Sequence, residues 1–206
     1  MFKRTKGYLL LTLLVLTGLA GRLHSDSLSG KERKFLVNHL KESKTAFLKS
    51  VKNLSEEQLN YKSAPDKWSV KECIYHITLS ENNLWAIAEA ELKKPTNPEK
   101  RGEIKVADEG LIKMLTDRSS KFQAAETFKP EQAKWKSANE ALKDFKEKRA
   151  NLVKFAKTTT DDLRNHIREV PWGYMDSYQA VLMISAHTLR HTQQIEEIKS
   201  SPGFPK

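Results

Sequence analysis

Apolar residues recur every three or four positions in four long stretches of the chain. This spacing is the period of an amphipathic helix, which buries one face and exposes the other. The recurring residues are Phe35, Leu36, Leu40 and Phe47; Val70, Ile74, Ile77 and Leu84; Leu142, Phe145, Leu152 and Phe155; and Val181, Ile184, Leu189, Ile195 and Ile198. The pattern therefore predicts four long helices, each with one face available for packing.

Each of the four stretches begins with a capping-box pair, in which two side chains satisfy free amides at a helix start. The pairs are Ser29 with Glu32, Ser69 with Glu72, Ser137 with Glu140, and Asp176 with Gln179. No segment alternates apolar and polar residues over a length typical of a strand, and the chain holds only 8 glycines. We therefore expect an all-α fold, specifically a four-helix bundle.

Two longer connections separate the predicted helices. The first, residues 94–136, has apolar residues at helical spacing in its middle, so residues 107–123 are predicted to form a short extra helix between helices 2 and 3. The second, residues 158–175, leads directly into the last helix. Loops at one end of a bundle can form the wall of a pocket, which makes Trp172 and Tyr174 candidate pocket-wall residues. An aromatic pair in a loop can equally pack onto the core.

The amino-terminal segment has the layout of a secretory signal peptide. Basic residues precede an apolar run from Tyr8 to Ala20, which ends in small side chains and is too short to span a bilayer comfortably. We expect residues 1–20 to be removed on export to the periplasm, with an uncleaved membrane anchor as the alternative. Residues 21–28 then form a short linker, and residues 29–206 form one domain, which suits a chain of 206 residues.

The charge pattern argues against a nucleic-acid partner. The formal charge of +10 is high, but lysines alternate with glutamates, as in residues 31–34 and 143–149. Such alternation is typical of a solvated helix face, and no basic stretch is interleaved with aromatic residues. We therefore expect no nucleic acid, and contact with a membrane only if the amino-terminal segment is retained. A homodimer is compatible with the sequence, which does not select an oligomeric state.

Three histidines carry the candidate chemistry. His187 and His191 stand one turn apart in the last predicted helix, on the row that includes Ile184, so both rings point toward the core. His76 lies near the apolar face of the second helix. If the two helices face each other, three imidazoles converge on one point and form a metal site with an open coordination position.

The alternative is that these histidines bind nothing. A histidine on an apolar face is often a hydrogen-bonded core residue, and two histidines four residues apart occur by chance in many helices. However, several buried imidazoles without a metal would need several matched partners. The spacing of the histidines supports a metal site and metal-free core histidines about equally. His39 and His166 show no such pattern, and we interpret them as ordinary surface or loop residues.

Three residues near these histidines are weaker candidates for a role in the metal site. Gln194, one turn beyond His191, could orient a bound water or a group behind the ligands, or could simply be a polar residue at the bundle end. Glu72, four residues before His76, is best interpreted as a cap carboxylate. Cys73 has metal-ligand spacing to His76, but it fits the apolar stripe and free cysteines are usually buried, so we expect a core residue.

The residues around these histidines resemble the DinB/YfiT-like superfamily of metal-binding four-helix bundles. The resemblance runs from about residue 35 to residue 206. It rests on Pro65-Asp66-Lys67-Trp68-Ser69-Val70-Lys71-Glu72 followed by His76, and on His187-Thr188-Leu189-Arg190-His191-Thr192-Gln193-Gln194-Ile195. The resemblance implies that His76, His187 and His191 bind a divalent metal, with water or substrate completing the shell. Zinc or nickel is the expected ion, although imidazoles also suit copper and iron.

Members of this family with assigned chemistry resemble thiol S-transferases and thiol-dependent isomerases, and many others have no known activity. A metal held by three histidines lowers the pKa of a bound water or thiol, so hydrolysis and thiol transfer could start from one site. The expected function is a metal-dependent enzyme of thiol-transferase or hydrolase type acting on an unidentified small molecule. The alternative is a non-catalytic metal- or ligand-binding bundle. Export weakens the thiol interpretation, because low-molecular-weight thiols are scarce outside the cytoplasm.

Overall fold

The computed structural model describes residues 28–119 and 122–206. Its helices are α1 Gly30–Ser50, α2 Glu56–Asn60, α3 Val70–Leu92, α4 Asp108–Thr116, α5 Ala138–Thr158 and α6 Ser177–Lys199. Short 3-10 turns lie at Pro98–Glu103, Glu126–Phe128 and Pro130–Gln132. The predicted signal peptide and all but the last residue of the predicted linker lie outside the described residues. Within the described residues, no helix has the length and apolar character needed to cross a membrane.

The four long helices form the bundle that the sequence predicts. α1 packs against α5 and α6, and α3 packs against the same two helices, so the pairs α1–α5 and α3–α6 lie on opposite sides. Arg33, near the start of α1, donates to the carbonyl oxygens of Ala156 and Thr159 near the end of α5. Phe47, near the end of α1, packs edge-on against Phe145 in the first half of α5. These two helices are therefore antiparallel neighbours.

The predicted helix starts are confirmed, although two of the caps are only half-formed boxes. Ser29 and Ser69 each accept from the amide of the glutamate three residues later, and that glutamate accepts from the cap amide in return. At the start of α5, the Glu140 carboxylate instead accepts from the amide of Lys136. At the start of α6, the Gln179 side chain donates to the carbonyl oxygen of Val106 and so ties the helix to the α3–α5 connection.

The connections differ from the prediction in two places. The extra helix α4 is confirmed but ends at Thr116, because Asp117 takes up an extended backbone conformation. The connection before α6 contains a small antiparallel hairpin, β1 Ile167–Val170 and β2 Gly173–Asp176, which the sequence analysis missed. Gly173 sits at its turn with φ of 123°, a conformation that favours glycine. Four residues per strand are too few for an alternating pattern to be recognised.

A buried ion pair joins all four long helices at the centre of the bundle. Arg149 of α5 is fully buried, and its Nε and Nη2 each donate to the carboxylate of Glu81 of α3 at 2.6 Å. The remaining guanidinium hydrogens reach the Leu40 carbonyl and Ser43 hydroxyl of α1 and the Thr188 hydroxyl of α6. Because every donor is satisfied, the pair fixes the relative positions of the helices that carry the histidines.

Candidate metal centre

The three histidines identified in the sequence converge between α3 and α6. The Nε2 atoms of His76 and His191 lie 3.0 Å apart. The Nε2 atom of His187 lies 3.2 Å from each of the other two. His76 and His191 are buried, whereas His187 is partly exposed and forms the accessible edge of the site. We call this arrangement the histidine tripod.

The dimensions of the histidine tripod fit a divalent metal ion. Two bonds of 2.0–2.1 Å separate their nitrogens by about 3.3–3.4 Å at a tetrahedral angle and by about 2.9–3.0 Å at an octahedral angle. The observed separations of 3.0 and 3.2 Å lie between these values. Within the described residues, the tripod is also the one group of three or more metal-ligating side chains that come this close together. An all-imidazole donor set suits zinc and nickel among other ions, and the geometry does not choose between them.

The partner of His76 determines which of its ring nitrogens carries the hydrogen. His76 Nδ1 lies 2.6 Å from the main-chain carbonyl oxygen of Phe128. A carbonyl oxygen can only accept, so Nδ1 must be the protonated nitrogen. In a neutral ring, Nε2 then carries a lone pair directed into the histidine tripod. The loop that supplies Phe128 thus prepares His76 as a ligand.

His191 is prepared in the same way by a chain of polar side chains. Its Nδ1 lies 2.9 Å from Gln194 Oε1, and Nη1 of Arg118 approaches the same oxygen at 3.5 Å. A guanidinium can only donate, which identifies the Gln194 atom as the amide oxygen and His191 Nδ1 as the donor. Arg118 is in turn held by Glu197 through two contacts of 2.8 and 2.6 Å. Gln194 therefore contacts the His191 nitrogen that points away from the histidine tripod.

Burial keeps all three rings neutral. Loss of hydration lowers the pKa of His76, although the contact with Phe128 acts in the opposite direction. Burial, followed by repulsion from neighbouring histidines, holds the pKa of His187 and of His191 well below the usual value. Consequently His76 and His191 present two unprotonated nitrogens to each other at 3.0 Å. Two lone pairs at that distance repel, and a bound cation removes the repulsion.

Glu72 and Cys73 take the structural roles favoured by the sequence. The Glu72 carboxylate accepts from the Ser69 amide and from Lys62, both at 2.7 Å. Burial would raise the pKa of Glu72, but these hydrogen bonds hold it below its usual value. Cys73 is fully buried in the core, and burial raises the pKa of its thiol far above the usual range. Its sulfur is not among the ligand atoms that meet in the histidine tripod, which disfavours Cys73 as a metal ligand.

The aromatic ring beside the histidine tripod is Trp68, which the sequence analysis did not select. Its ring centroid lies 4.7 Å from that of His76 and 6.0 Å from that of His191. Trp172 is exposed at the turn of the β1–β2 hairpin, and the ring of Tyr174 lies beneath the ammonium group of Lys100. The signal for Trp68 was its position directly before the cap residue of α3, where its side chain returns toward the first turns of that helix.

A buried hydroxyl also lies near the histidine tripod. Ser80 is one turn beyond His76 on the same row of α3, so both side chains project in similar directions. Its Oγ atom is buried and has no hydrogen-bond partner among the residues that the structure describes. Buried hydroxyls are normally satisfied, so Ser80 is a candidate contact for a non-protein ligand of the site.

The other two histidines of the domain lie elsewhere in the fold. His39 of α1 is partly buried, and its Nδ1 lies 2.5 Å from the hydroxyl oxygen of Ser185 on α6. That hydroxyl donates to the carbonyl oxygen of Leu182, so it is not poised as a nucleophile. His166 lies in the loop before β1, as expected, but it is buried rather than exposed.

Comparisons with known proteins agree with this fold. The family model of the DinB superfamily matches residues 39–195. Because this match covers most of the chain, the protein belongs to the DinB superfamily, which confirms the resemblance stated above. Comparison with curated proteins gives no significant match.

One solved structure shares the architecture. YfiT from Bacillus subtilis is described as a probable metal-dependent hydrolase with an unusual four-helix bundle topology. It matches with a TM-score of 0.57 and 16% sequence identity, over 84% of this chain and 89% of YfiT. At this identity the likeness establishes the fold alone, and the predicted four-helix bundle is confirmed.

Proposed function

We propose that this protein is a metal-dependent enzyme whose divalent ion is held by His76, His187 and His191, with at least one coordination position open. The observation that carries the proposal is the 3.0 Å separation of the Nε2 atoms of His76 and His191, with the Nε2 atom of His187 3.2 Å from both. Nδ1 of His76 and of His191 each donates to an acceptor behind the ring, which leaves the Nε2 lone pairs directed into the histidine tripod. Such acceptors orient ligands in many metal sites and raise their basicity.

Hydrolysis is the reaction that we favour. A divalent ion bound here would act as a Lewis acid and lower the pKa of a water molecule toward neutrality. The chain's own thiol does not compete as a nucleophile, because Cys73 is fully buried in the core. The description of YfiT as a probable metal-dependent hydrolase supports the same choice. Ser80 would position the non-protein ligand, and the partial exposure of His187 gives a small-molecule substrate its approach.

A thiol-transferase reaction is the alternative within the same class. The metal would then hold the sulfur of a low-molecular-weight thiol in place of water. We also propose that the protein is exported to the periplasm, on the strength of the amino-terminal signal pattern. That location disfavours a thiol co-substrate, which is scarce outside the cytoplasm.

A non-catalytic metal-binding role is the second candidate, and one observation favours it. The nearby carboxylates are already engaged: Glu72 caps α3, Glu197 pairs with Arg118, and Glu81 pairs with Arg149. A hydrolase of this kind would therefore work without a free carboxylate as general base and would depend on the metal alone for activation.

The test combines reconstitution with a reaction screen. The purified chain is stripped with a chelator, reloaded with zinc or with nickel, and assayed against ester, amide and lactone substrates with and without a low-molecular-weight thiol. We expect hydrolysis that requires metal, needs no thiol and is lost in His187→Ala. His39→Ala, which removes a histidine outside the tripod, is the matched control and should keep activity. Activity only in the presence of the thiol would indicate the transferase, whereas bound metal with no turnover would support the non-catalytic role.

A further inference from the structure

The positive charge of the domain is concentrated in two adjacent helices. α1 carries six basic and two acidic residues, and α5 carries six basic and three acidic residues. The rest of the chain from residue 51 onward holds 20 basic and 20 acidic residues. All of the excess positive charge after residue 29 therefore belongs to α1 and α5, which lie side by side in the bundle.

Lysines of both helices line the outer side of this pair. They recur at intervals of three, seven or eight residues, which places those of each helix on one side. We call the set the lysine face: Lys34, Lys41 and Lys44 of α1, with Lys143, Lys146, Lys154 and Lys157 of α5. All are exposed except Lys44, which is partly exposed. The span from Lys143 to Lys157 along α5 is about 21 Å.

The lysine face is not neutralised by neighbouring carboxylates. Among the described residues, none of its seven lysines takes part in an ion pair. By the same spacing, the exposed acids Glu42, Glu140 and Glu147 lie on or beside the face, where the seven lysines outnumber them. The arginines of the two helices are occupied elsewhere, since Arg33 binds main-chain carbonyls and Arg149 pairs with Glu81 in the core. The exposed charge is therefore supplied by lysines.

We propose that the lysine face binds the surface of an anionic lipid bilayer. Two antiparallel helices present a broad surface rather than a groove, which suits a plane of headgroups. Lysine is a compact point charge that needs no fixed partner geometry, whereas nucleic-acid surfaces commonly add arginine forks and stacking aromatics. Each lysine close to such a membrane increases binding about fivefold, and the effect fades beyond a Debye length of about 10 Å in 0.1 M salt.

Two further features agree with a bilayer as the partner. Where the segment before α1 is retained, its four basic residues and one acidic residue add net charge of the same sign. The lysine face also lies opposite the α3–α6 pair, which carries the histidine tripod. A protein bound through α1 and α5 would direct its metal site away from the membrane and toward soluble substrates. The proposal does not depend on the identity of the metal or on the reaction.

The test measures sedimentation of the full-length chain with lipid vesicles. One set contains phosphatidylglycerol and phosphatidylcholine in equal parts, and the other contains phosphatidylcholine alone. Binding to the neutral vesicles measures any contribution of the apolar run. The difference in binding between the two sets measures the contribution of charge. We expect binding to the anionic set to be stronger and to fall steeply between about 0.05 and 0.5 M salt, because screening shortens the reach of the lysines.

Charge reversal locates the surface. The triple variant K41E/K44E/K146E should lose about 100-fold or more in partition to anionic vesicles and should bind neutral vesicles as before. The control variant K105E/K113E/K134E changes the net charge equally on other exposed lysines and should lose far less. Thermal unfolding checks that both variants fold. Equal losses in the two variants, or binding that ignores salt, would overturn the proposal. So would tighter binding of duplex DNA than of anionic vesicles, with the DNA binding lost in K41E/K44E/K146E.

Discussion

At the scale of single residues, the candidate site depends on the atoms that face the outer nitrogens of the ligands. The carbonyl of Phe128 and the amide oxygen of Gln194 can only accept, so they place the hydrogens of His76 and His191 on Nδ1. This choice leaves both Nε2 atoms free to bind a metal. Without those acceptors each ring could take either tautomer, and one tautomer cannot bind through Nε2.

The role of Gln194 can be measured through metal affinity. Gln194→Ala removes the acceptor for His191 Nδ1, and loss of such a partner typically weakens metal binding by about 10- to 100-fold. Competition with a fluorescent chelator gives the affinity directly. Gln194→Glu keeps an acceptor at the same position and should retain tight binding. The neighbouring Gln193 is exposed, so Gln193→Ala is the matched control. An affinity for Gln194→Ala equal to that of this control would show that Gln194 is only a surface residue.

Sequence reasoning grouped the three histidines and offered Gln194 as a residue behind them, but it did not find Phe128 or Arg118. Helix phasing placed His187 and His191 on one inward row, and the family resemblance supplied His76. Phe128 contributes through its main chain from 52 residues away, and a main-chain contact leaves no residue-type signature. Arg118 approaches Gln194 through its side chain, from a segment 76 residues away. Such contacts depend on the tertiary fold, so no local pattern could reveal them.

At the scale of secondary structure elements, local signals were strong where helices begin. A cap residue and its partner lie within four positions, so the sequence contains everything that the motif needs. Ser55 with Gln58 forms a further complete box at the start of α2, a five-residue helix too short to show a period. The β1–β2 hairpin was not predicted, because its strands are also too short to show a period. Short elements depend on their contacts with the bundle rather than on their own pattern.

The cap of α3 gives a pH-dependent contribution to stability. Hydrogen bonds hold the pKa of Glu72 below its usual value, so its carboxylate stabilises the folded state above the pKa of the unfolded chain. That stabilisation is lost as the pH falls through the folded pKa. Glu72→Gln keeps the capping hydrogen bond but removes the charge, and should cost about 0.3–1 kcal/mol at pH 7.

Urea unfolding of Glu72→Gln and wild type across pH 3–7 checks this prediction. The difference in unfolding free energy should shrink on acidification and disappear once Glu72 is protonated. Glu89→Gln, which removes an exposed carboxylate in the last turn of α3 with a weak 3.8 Å ion pair, is the control and should show a smaller effect. A difference between Glu72→Gln and wild type that does not shrink between pH 7 and pH 3 would contradict the assignment to charge.

At the scale of the whole molecule, the Arg149–Glu81 pair holds the bundle in one arrangement. Removing one member leaves a buried charge without its partner, so Glu81→Leu or Arg149→Met alone should cost about 3–5 kcal/mol. The double variant buries no charge and should be more stable than either single variant, as urea unfolding would show. Additive losses in the double variant would mean that the pair itself is not the source of the cost.

The distribution of charge over the molecule could not be predicted from the sequence. Lysines and glutamates alternate along α1 and α5, and that pattern was interpreted as a solvated face. The packing of the two helices brings their lysines together on one face, where they outnumber the exposed acids. The bundle itself was predictable because four amphipathic helices with short-range caps have few ways to pack. Export and the fate of the amino-terminal run stay predictions, since residues 1–27 lie outside the described part of the chain.

The most direct test of the central claim is X-ray absorption spectroscopy of the chain loaded with one equivalent of zinc. We expect three imidazole nitrogens at about 2.0–2.1 Å from the zinc ion, with one or more light non-protein ligands completing its coordination. His187→Ala should lose one imidazole and bind the metal more weakly, while His39→Ala should match the wild type. A sulfur ligand at about 2.3 Å would instead place Cys73 at the metal. That result, or a spectrum unchanged in His187→Ala, would contradict the histidine tripod as the metal site.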